Sequence, residues 1–123
     1  MPISPGTSAD VELVVTEADT AIAAGSGDVP VLATPRLIAL CEEATVAAVA
    51  GDMPAGMTSV GSRVDFEHLA PTHIGATVNA RAVLTRVEGR TLTFSIEATD
   101  DQRAIGRGMV VRVAVDRDRF LGN

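Results

Sequence analysis

The chain has 123 residues, 46% of them apolar, which suits one domain of common size and leaves little room for a second. Sixteen acidic residues stand against ten basic ones, all ten of them arginine, for a formal charge of -6 with only three phenylalanines as aromatics. Such a chain lacks both the positive surface and the stacking side chains that nucleic acid requires. The lone Cys41 excludes an internal disulfide and a cysteine-built metal site.

Residues Met1 to Asp10 have no basic start and no apolar run, so they do not read as a signal peptide. Their Pro, Gly and Ser residues predict a flexible arm over 1–9, with a single ordered domain over 10–123. Val11 to Thr16 is rich in branched residues and reads as a first strand, followed by a loop ending at Pro30. The apolar-rich stretch Val29 to Ala50 is interrupted by Pro30, Pro35, Arg36, Glu42 and Glu43, which are too costly for a membrane span. A cytoplasmic protein with no membrane partner is expected.

Within that stretch a helix is predicted over roughly 35 to 50. Thr34 is able to cap its amides, Pro35 stands where a missing N–H costs nothing, and Gly51 ends the run. Leu37, Leu40, Cys41, Ala44 and Ala48 recur at helical spacing and form its buried stripe. The period then changes to two. Val60, Ser62, Val64, Phe66 and His68 are predicted on one face of a strand, with Gly61 on the other. Thr77 to Val87 and Thr91 to Thr99 read as strands joined by a turn at Glu88-Gly89-Arg90. Ala104 to Val115 follows, with Ile105, Met109, Val111, Val113 and Val115 sharing one face. A sheet with one apolar face needs a cover, and the central helix is the one available. An α+β architecture follows, one long helix wrapped by a curved antiparallel sheet. A helix of ~16 residues is only ~24 Å long, so long strands outrun it and self-association is expected.

Helix geometry separates two adjacent acids. Glu42 lies beside Ile38, Thr45, Val46 and Val49, whereas Glu43 points towards Ala39, Ala47 and Ala50 as an ordinary solvated charge. A carboxylate among branched side chains is costly without a partner or a task, which marks Glu42 as a general base or nucleophile; a hydrated place at the rim is the alternative. Thr34 is read first as a cap, and second as a hydroxyl beside amides that favour developing negative charge. His68 points inward and suits either proton transfer or a structural hydrogen bond, while His73 belongs to an exposed loop. Gly61 permits a close backbone approach or a bend. Phosphate-binding glycine loops, zinc-hydrolase and serine-elbow motifs are absent from the sequence, so no metal and no resident cofactor are expected.

Three segments carry a resemblance: Val31-Leu-Ala-Thr-Pro-Arg-Leu-Ile-Ala-Leu-Cys-Glu-Glu43, Gly61-Ser-Arg-Val-Asp-Phe-Glu-His-Leu-Ala-Pro-Thr-His-Ile-Gly-Ala-Thr-Val78, and Ile105-Gly-Arg-Gly-Met-Val-Val-Arg-Val113. Over about residues 11 to 120 the chain resembles the hot-dog-fold acyl-CoA thioesterases, in the subgroup typified by fluoroacetyl-CoA thioesterase. The resemblance implies Thr34, Glu42 and His68 as catalytic residues, Gly61 as a substrate-binding backbone, and an acyl-CoA as substrate. It also implies a homodimer with sites between subunits; whether dimers pair into a tetramer stays open. The fluoroacetyl enzyme carries bulky aromatic residues as a lid before the helix. Gly25 to Val29 here holds none, so another acyl group is implied, with Ile38, Val49 and Val60 expected to line its pocket. Which arginine meets the CoA phosphates stays open. A non-catalytic acyl-CoA-binding module, an enoyl-thioester hydratase of the same fold and a purely structural dimer remain alternatives.

Overall fold

The computed structural model describes residues 3–122. Its elements in chain order are β1 (Ser8–Val14), α1 (Ala21–Ala24), α2 (Thr34–Val49), β2 (Met57–His68), β3 (Thr77–Glu88), β4 (Thr91–Thr99), β5 (Ala104–Asp116) and α3 (Arg117–Phe120). The strands form one antiparallel sheet in the order β1-β3-β4-β5-β2. Helix α2 lies against one face, chiefly over β1 and β3, and also touches β2, β4 and β5.

The helical stripe is as periodicity predicts: Leu37, Leu40, Cys41, Ala44 and Ala48 are buried, joined by Thr45 and Val49. They meet Val78, Ala80, Ala82 and Leu84 of β3 and Leu92, Phe94, Ile96 and Ala98 of β4. These strand residues alternate because one sheet face is buried and the other is not. The β3–β4 hairpin turns through Gly89, whose φ of 60° the tight connection requires. Among the described residues, no helix is long and apolar enough to cross a membrane.

Three expectations are corrected. The chain does not wait until residue 10 to take a place in the fold: Ser8 and Ala9 pair with Val83 and Ala82, and the Ile3 side chain is buried in the core, at 6% exposure. Of the expected arm, Met1 and Pro2 lie outside the described residues. Second, β5 does not keep Ile105, Met109, Val111, Val113 and Val115 on one face: Ile105 is buried and the other four are half-buried. Val110, Arg112 and Ala114 are buried toward the helix, and Met109, Val111, Val113 and Val115 lie on the other face. The inward face carries an arginine with a dedicated partner, which an apolar count does not find.

Third, β2 does not keep one phase. Gly61 pairs with Arg112 and Arg63 with Val111, so Ser62 is an extra residue, a β-bulge. Cross-strand partners share a face. Before the bulge the odd-numbered Ser59 and Gly61 sit with the inward Ala114 and Arg112; after it the even-numbered Val64, Phe66 and His68 sit with Val110, Gly108 and Gly106. Gly61 and His68, expected on opposite faces, therefore both face the helix.

Strand β2 is a sheet edge held by β5 alone, and it approaches β5 closely at Gly108, where a Cβ would collide with the backbone of Asp65 and Phe66. Gly108→Ala is expected to destabilise the protein by about 1–3 kcal/mol through backbone displacement, read as a lower urea midpoint; an unchanged midpoint would show that β2 moves freely there.

Candidate active site

Helix α2 begins at Thr34, with the extended Ala33 before it and Pro35 in its first turn. Ala33 has no side chain able to cap, and the helix start has no side-chain cap. Thr34 is thus the first helical residue and not the cap that its sequence position suggests. Its hydroxyl turns across to β2, where Thr34 Oγ1 and His68 Nδ1 share a hydrogen bond of 2.7 Å. The tautomer sets which end donates. A neutral imidazole has one N–H for two nitrogens, so Nε2 carries the complementary unmet group. That Nε2 is buried and has no hydrogen-bond partner.

Burial pulls the His68 pKa below 6.5, with the Ala70 backbone opposing the shift but forming no hydrogen bond to Nε2. The ring is accordingly neutral at pH 7. Thr34 and His68 open onto a cleft of about 370 Å³, walled by Ala21, Val29, Val31, Leu69 and Ala70 among others. Ile38, Val49 and Val60 do not line it, and Val49 lies in the core at 1% exposure. The pocket wall comes from the loop before the helix, to which the 3.6-residue period says nothing. His73 is exposed, as expected.

Glu42 belongs to a second cluster. Its side chain is half-buried, and Oε2 stands 3.6 Å from Arg112 Nη1. Arg112 is one of the few buried charges, at 7% exposure; its Nε donates to Ser59 Oγ at 2.9 Å and its Nη2 to Ser59 O at 3.0 Å. Burial lowers the guanidinium's pKa, and the Glu42 carboxylate opposes that shift. A Cβ on Gly61 would lie 2.7 Å from Glu42 Oε2, so the absent side chain is what admits the carboxylate to the strand. Of its expected apolar neighbours, Thr45 and Val49 are buried, Ile38 is half-buried, and Val46 is exposed. Glu43 is exposed beside Ala39, Ala47 and Ala50.

Sequence reasoning missed Arg112. The signal was an arginine inside the apolar run Val110-Val111-Arg112-Val113, a charge where alternation alone requires none. The neighbouring Cys41 is no nucleophile: burial and then the Glu42 charge push its thiol up to about 12. Among the described residues, no group of three or more His, Cys, Asp or Glu side chains is placed to hold a metal.

The two clusters are separate within one chain. Thr34 and Glu42 lie eight residues apart, ~12 Å along the helix axis, and Gly61 and His68 are on the order of 20 Å apart along β2. The structure joins Thr34 to His68, and Glu42 to Gly61 and Arg112.

With this geometry in hand, known proteins are informative. The family described as fluoroacetyl-CoA-specific thioesterase matches residues 15–118. The chain belongs to that family. A fluoroacetyl-CoA thioesterase from Streptantibioticus cattleyicolor is 36% identical over 90 residues, 73% of this chain and 65% of that protein, so the match spans just under two-thirds of the relative's length. A solved structure of the fluoroacetyl-CoA thioesterase FlK superposes with a TM-score of 0.92 at 29% identity, covering 99% of this chain and 95% of the other. A hot-dog-like protein from Thermanaerovibrio acidaminovorans gives 0.88 at 25% identity, covering 96% and 87%. The fold is therefore the hot-dog fold, in which the family's helix lies in the curl of an antiparallel sheet.

In this member of the family, Gly61→Ala is expected to force the Glu42 carboxylate away from Arg112. The cooperative unfolding transition is expected to be kept; a crystal structure of G61A with the carboxylate still beside Arg112 would show that the absent side chain is not what admits it.

Proposed function

We propose that this protein hydrolyses an acyl-CoA thioester to the free acid and CoA, with Glu42, Thr34 and His68 at the reacting carbonyl and Gly61 and Arg112 holding Glu42. The observation that carries this reading is the Thr34–His68 hydrogen bond beside a cleft at the start of α2, with the ring's buried Nε2 left unpartnered, in a chain of this family. The first turn of α2 carries no side-chain cap. Its amides suit the negative charge that develops on a thioester oxygen. Glu42, as nucleophile or as general base for water, completes the attack. The C–S bond breaks, the acyl carbon gains the hydroxyl of water, and the thiolate takes up the proton.

The working unit is proposed to be a homodimer of single-domain chains. Strand β2 is a twelve-residue edge whose residues 61–65 are all exposed, a row of unpaired backbone groups ready for a second copy. Antiparallel pairing of two such edges near Val64 and Asp65 brings the Glu42, Gly61 and Arg112 of one copy towards the partner's Thr34 and His68. That supplies the proximity which one chain lacks. The segment Gly25 to Val29 contains no aromatic residue and is exposed, which supports an acyl group other than fluoroacetyl.

The deciding assay is a panel of acyl-CoAs, fluoroacetyl-CoA included, with thiol detection. Release of thiol supports a hydrolase. Binding without turnover supports a binding module, and hydration of an enoyl thioester supports a hydratase; either result overturns this reading.

Glu42→Gln is expected to abolish turnover and Glu43→Gln to leave it nearly unchanged, while His68→Ala slows it far more than His73→Ala. Mixing E42Q and H68A subunits should restore about a quarter of wild-type activity if each site draws on both copies, since half the dimers are mixed and hold one intact site. No restoration places the whole site in one chain.

The neutral imidazole also sets a pH dependence. Because burial depresses the His68 pKa, kcat/KM should fall on the acid side along a limb whose midpoint lies below 6.5, as the ring takes a proton. An acid limb centred above 6.5 contradicts the assignment of that limb to His68.

A further inference from the structure

Residues 19–33 form a closed loop. At its neck the Ala33 N–H donates to Asp19 O at 2.9 Å and the Ala21 N–H to Val31 O at 2.8 Å, and the Leu32 N–H ties the returning limb to Thr72 O at 2.9 Å. Six residues of the cleft wall, Ala21, Ser26, Gly27, Val29, Val31 and Leu32, come from this loop. Its tip, Ile22 to Pro30, is exposed throughout. Apart from the single turn of α1 and its cap, the order of the wall comes from the neck.

The neck contains a buried carboxylate that the hydrolytic reading does not use. Asp19, 8% exposed, accepts the Thr16 N–H at 2.8 Å and the Thr16 hydroxyl at 2.9 Å on Oδ2, and Arg36 Nε at 2.9 Å on Oδ1. Burial raises its pKa, but the Thr16 and Arg36 donors outweigh that and hold the carboxyl below its ordinary value. A buried carboxylate with three donors is a fixed point, since losing one leaves a charge partly unmet. Arg36 stands in the first turn of α2, two residues after Thr34. One side chain thus couples the turn bearing the hydroxyl to the loop bearing the cleft wall.

We propose that Asp19 and Arg36 are positioning residues that hold the 19–33 loop against the start of α2 and so preform the acyl-CoA cleft. This rests on the hydrolase reading for its kinetic consequence, though not for its structural one. Thr34 and His68 sit on elements anchored in the core, so loosening the neck leaves their contact in place. It makes the substrate order the wall on binding, an effect that falls on KM and spares kcat.

The test compares wild type, Arg36→Met and Arg36→Lys, using whichever acyl-CoA of the panel is turned over best. In R36M, KM is expected to rise about tenfold with kcat within about twofold of wild type. A merely destabilising change does the opposite, lowering apparent kcat through lost folded enzyme at unchanged KM. Hydrogen exchange should quicken in peptides covering residues 20–33 and stay unchanged in the β3–β4 hairpin. R36K keeps the charge but not the planar Nε donor and should show the same pattern in weaker form; it decides the matter should R36M fail to fold. Unchanged KM together with unchanged loop exchange overturns the proposal, as does a loss confined to kcat. If wild type releases thiol from no acyl-CoA, the hydrolase reading fails and the exchange measurement alone decides whether the pair holds the loop.

Discussion

The bulge at Ser62 is the constraint on which the site depends, because a strand alternates faces with a period of two and one extra residue inverts that alternation for everything beyond it. Without it, an even-numbered His68 and an odd-numbered Gly61 occupy opposite sides of the sheet, and only one of them meets the helix. With it, Gly61 receives the Glu42 carboxylate and His68 receives the Thr34 hydroxyl, both from α2. Helix geometry then fixes the rest. Thr34 and Glu42 project from the same element eight residues apart, so their partners on β2 must be separated along the strand, and the inversion has to fall between them. The Ser62 hydroxyl donates to Val111 O at 3.2 Å, occupying a polar side chain that the irregularity turns out of the ladder.

Electrostatics explains why the two ends of β2 differ. At the Gly61 end the inward face of β5 carries Arg112, a buried cation satisfied by Ser59 and matched by Glu42. Taking one ion from such a pair leaves the other uncompensated, so each of the two charges keeps its partner in a partly dry place. At the His68 end no carboxylate among the described residues forms an ion pair with the ring. Its environment is the hydroxyl of Thr34 and an apolar wall, and burial keeps the imidazole neutral. The inward face of β2 thus meets the Arg112–Glu42 pair at one end and carries a neutral imidazole at the other.

Much of this was legible in the sequence, for identifiable reasons. The stripe of α2 and the alternation of β3 and β4 follow from burial on one side, so periodicity finds them. Glu42 separated from Glu43 because 100° per residue places them on different surfaces. The bulge was not legible: Ser62 has nothing to set it apart as an inserted residue, and a period-two count passes over it, which is why Gly61 was assigned to the wrong face. Thr34 was misread because the sequence Ala33-Thr34-Pro35 fits a capped start equally well when the helix begins one residue earlier, and only the tertiary partner on β2 decides. Arg112 was overlooked because its reason for being buried lies on two other elements, at Ser59 and Glu42.

The loop between β1 and α2 was the least legible part, and the same physics accounts for it. Its order comes from closure: backbone hydrogen bonds between residues far apart in sequence, and one carboxylate that gathers donors from a turn and from a helix. Neither leaves a repeating pattern. Closing such a loop costs entropy that grows only slowly with its length, so the tip is free to vary in sequence while the neck stays bound. A cleft walled by a tip of this kind changes its lining without disturbing Thr34, His68 or Glu42, all of which are carried by α2 and β2. An aromatic-free tip therefore sets the shape of the cleft wall at the one place where the core does not oppose a change.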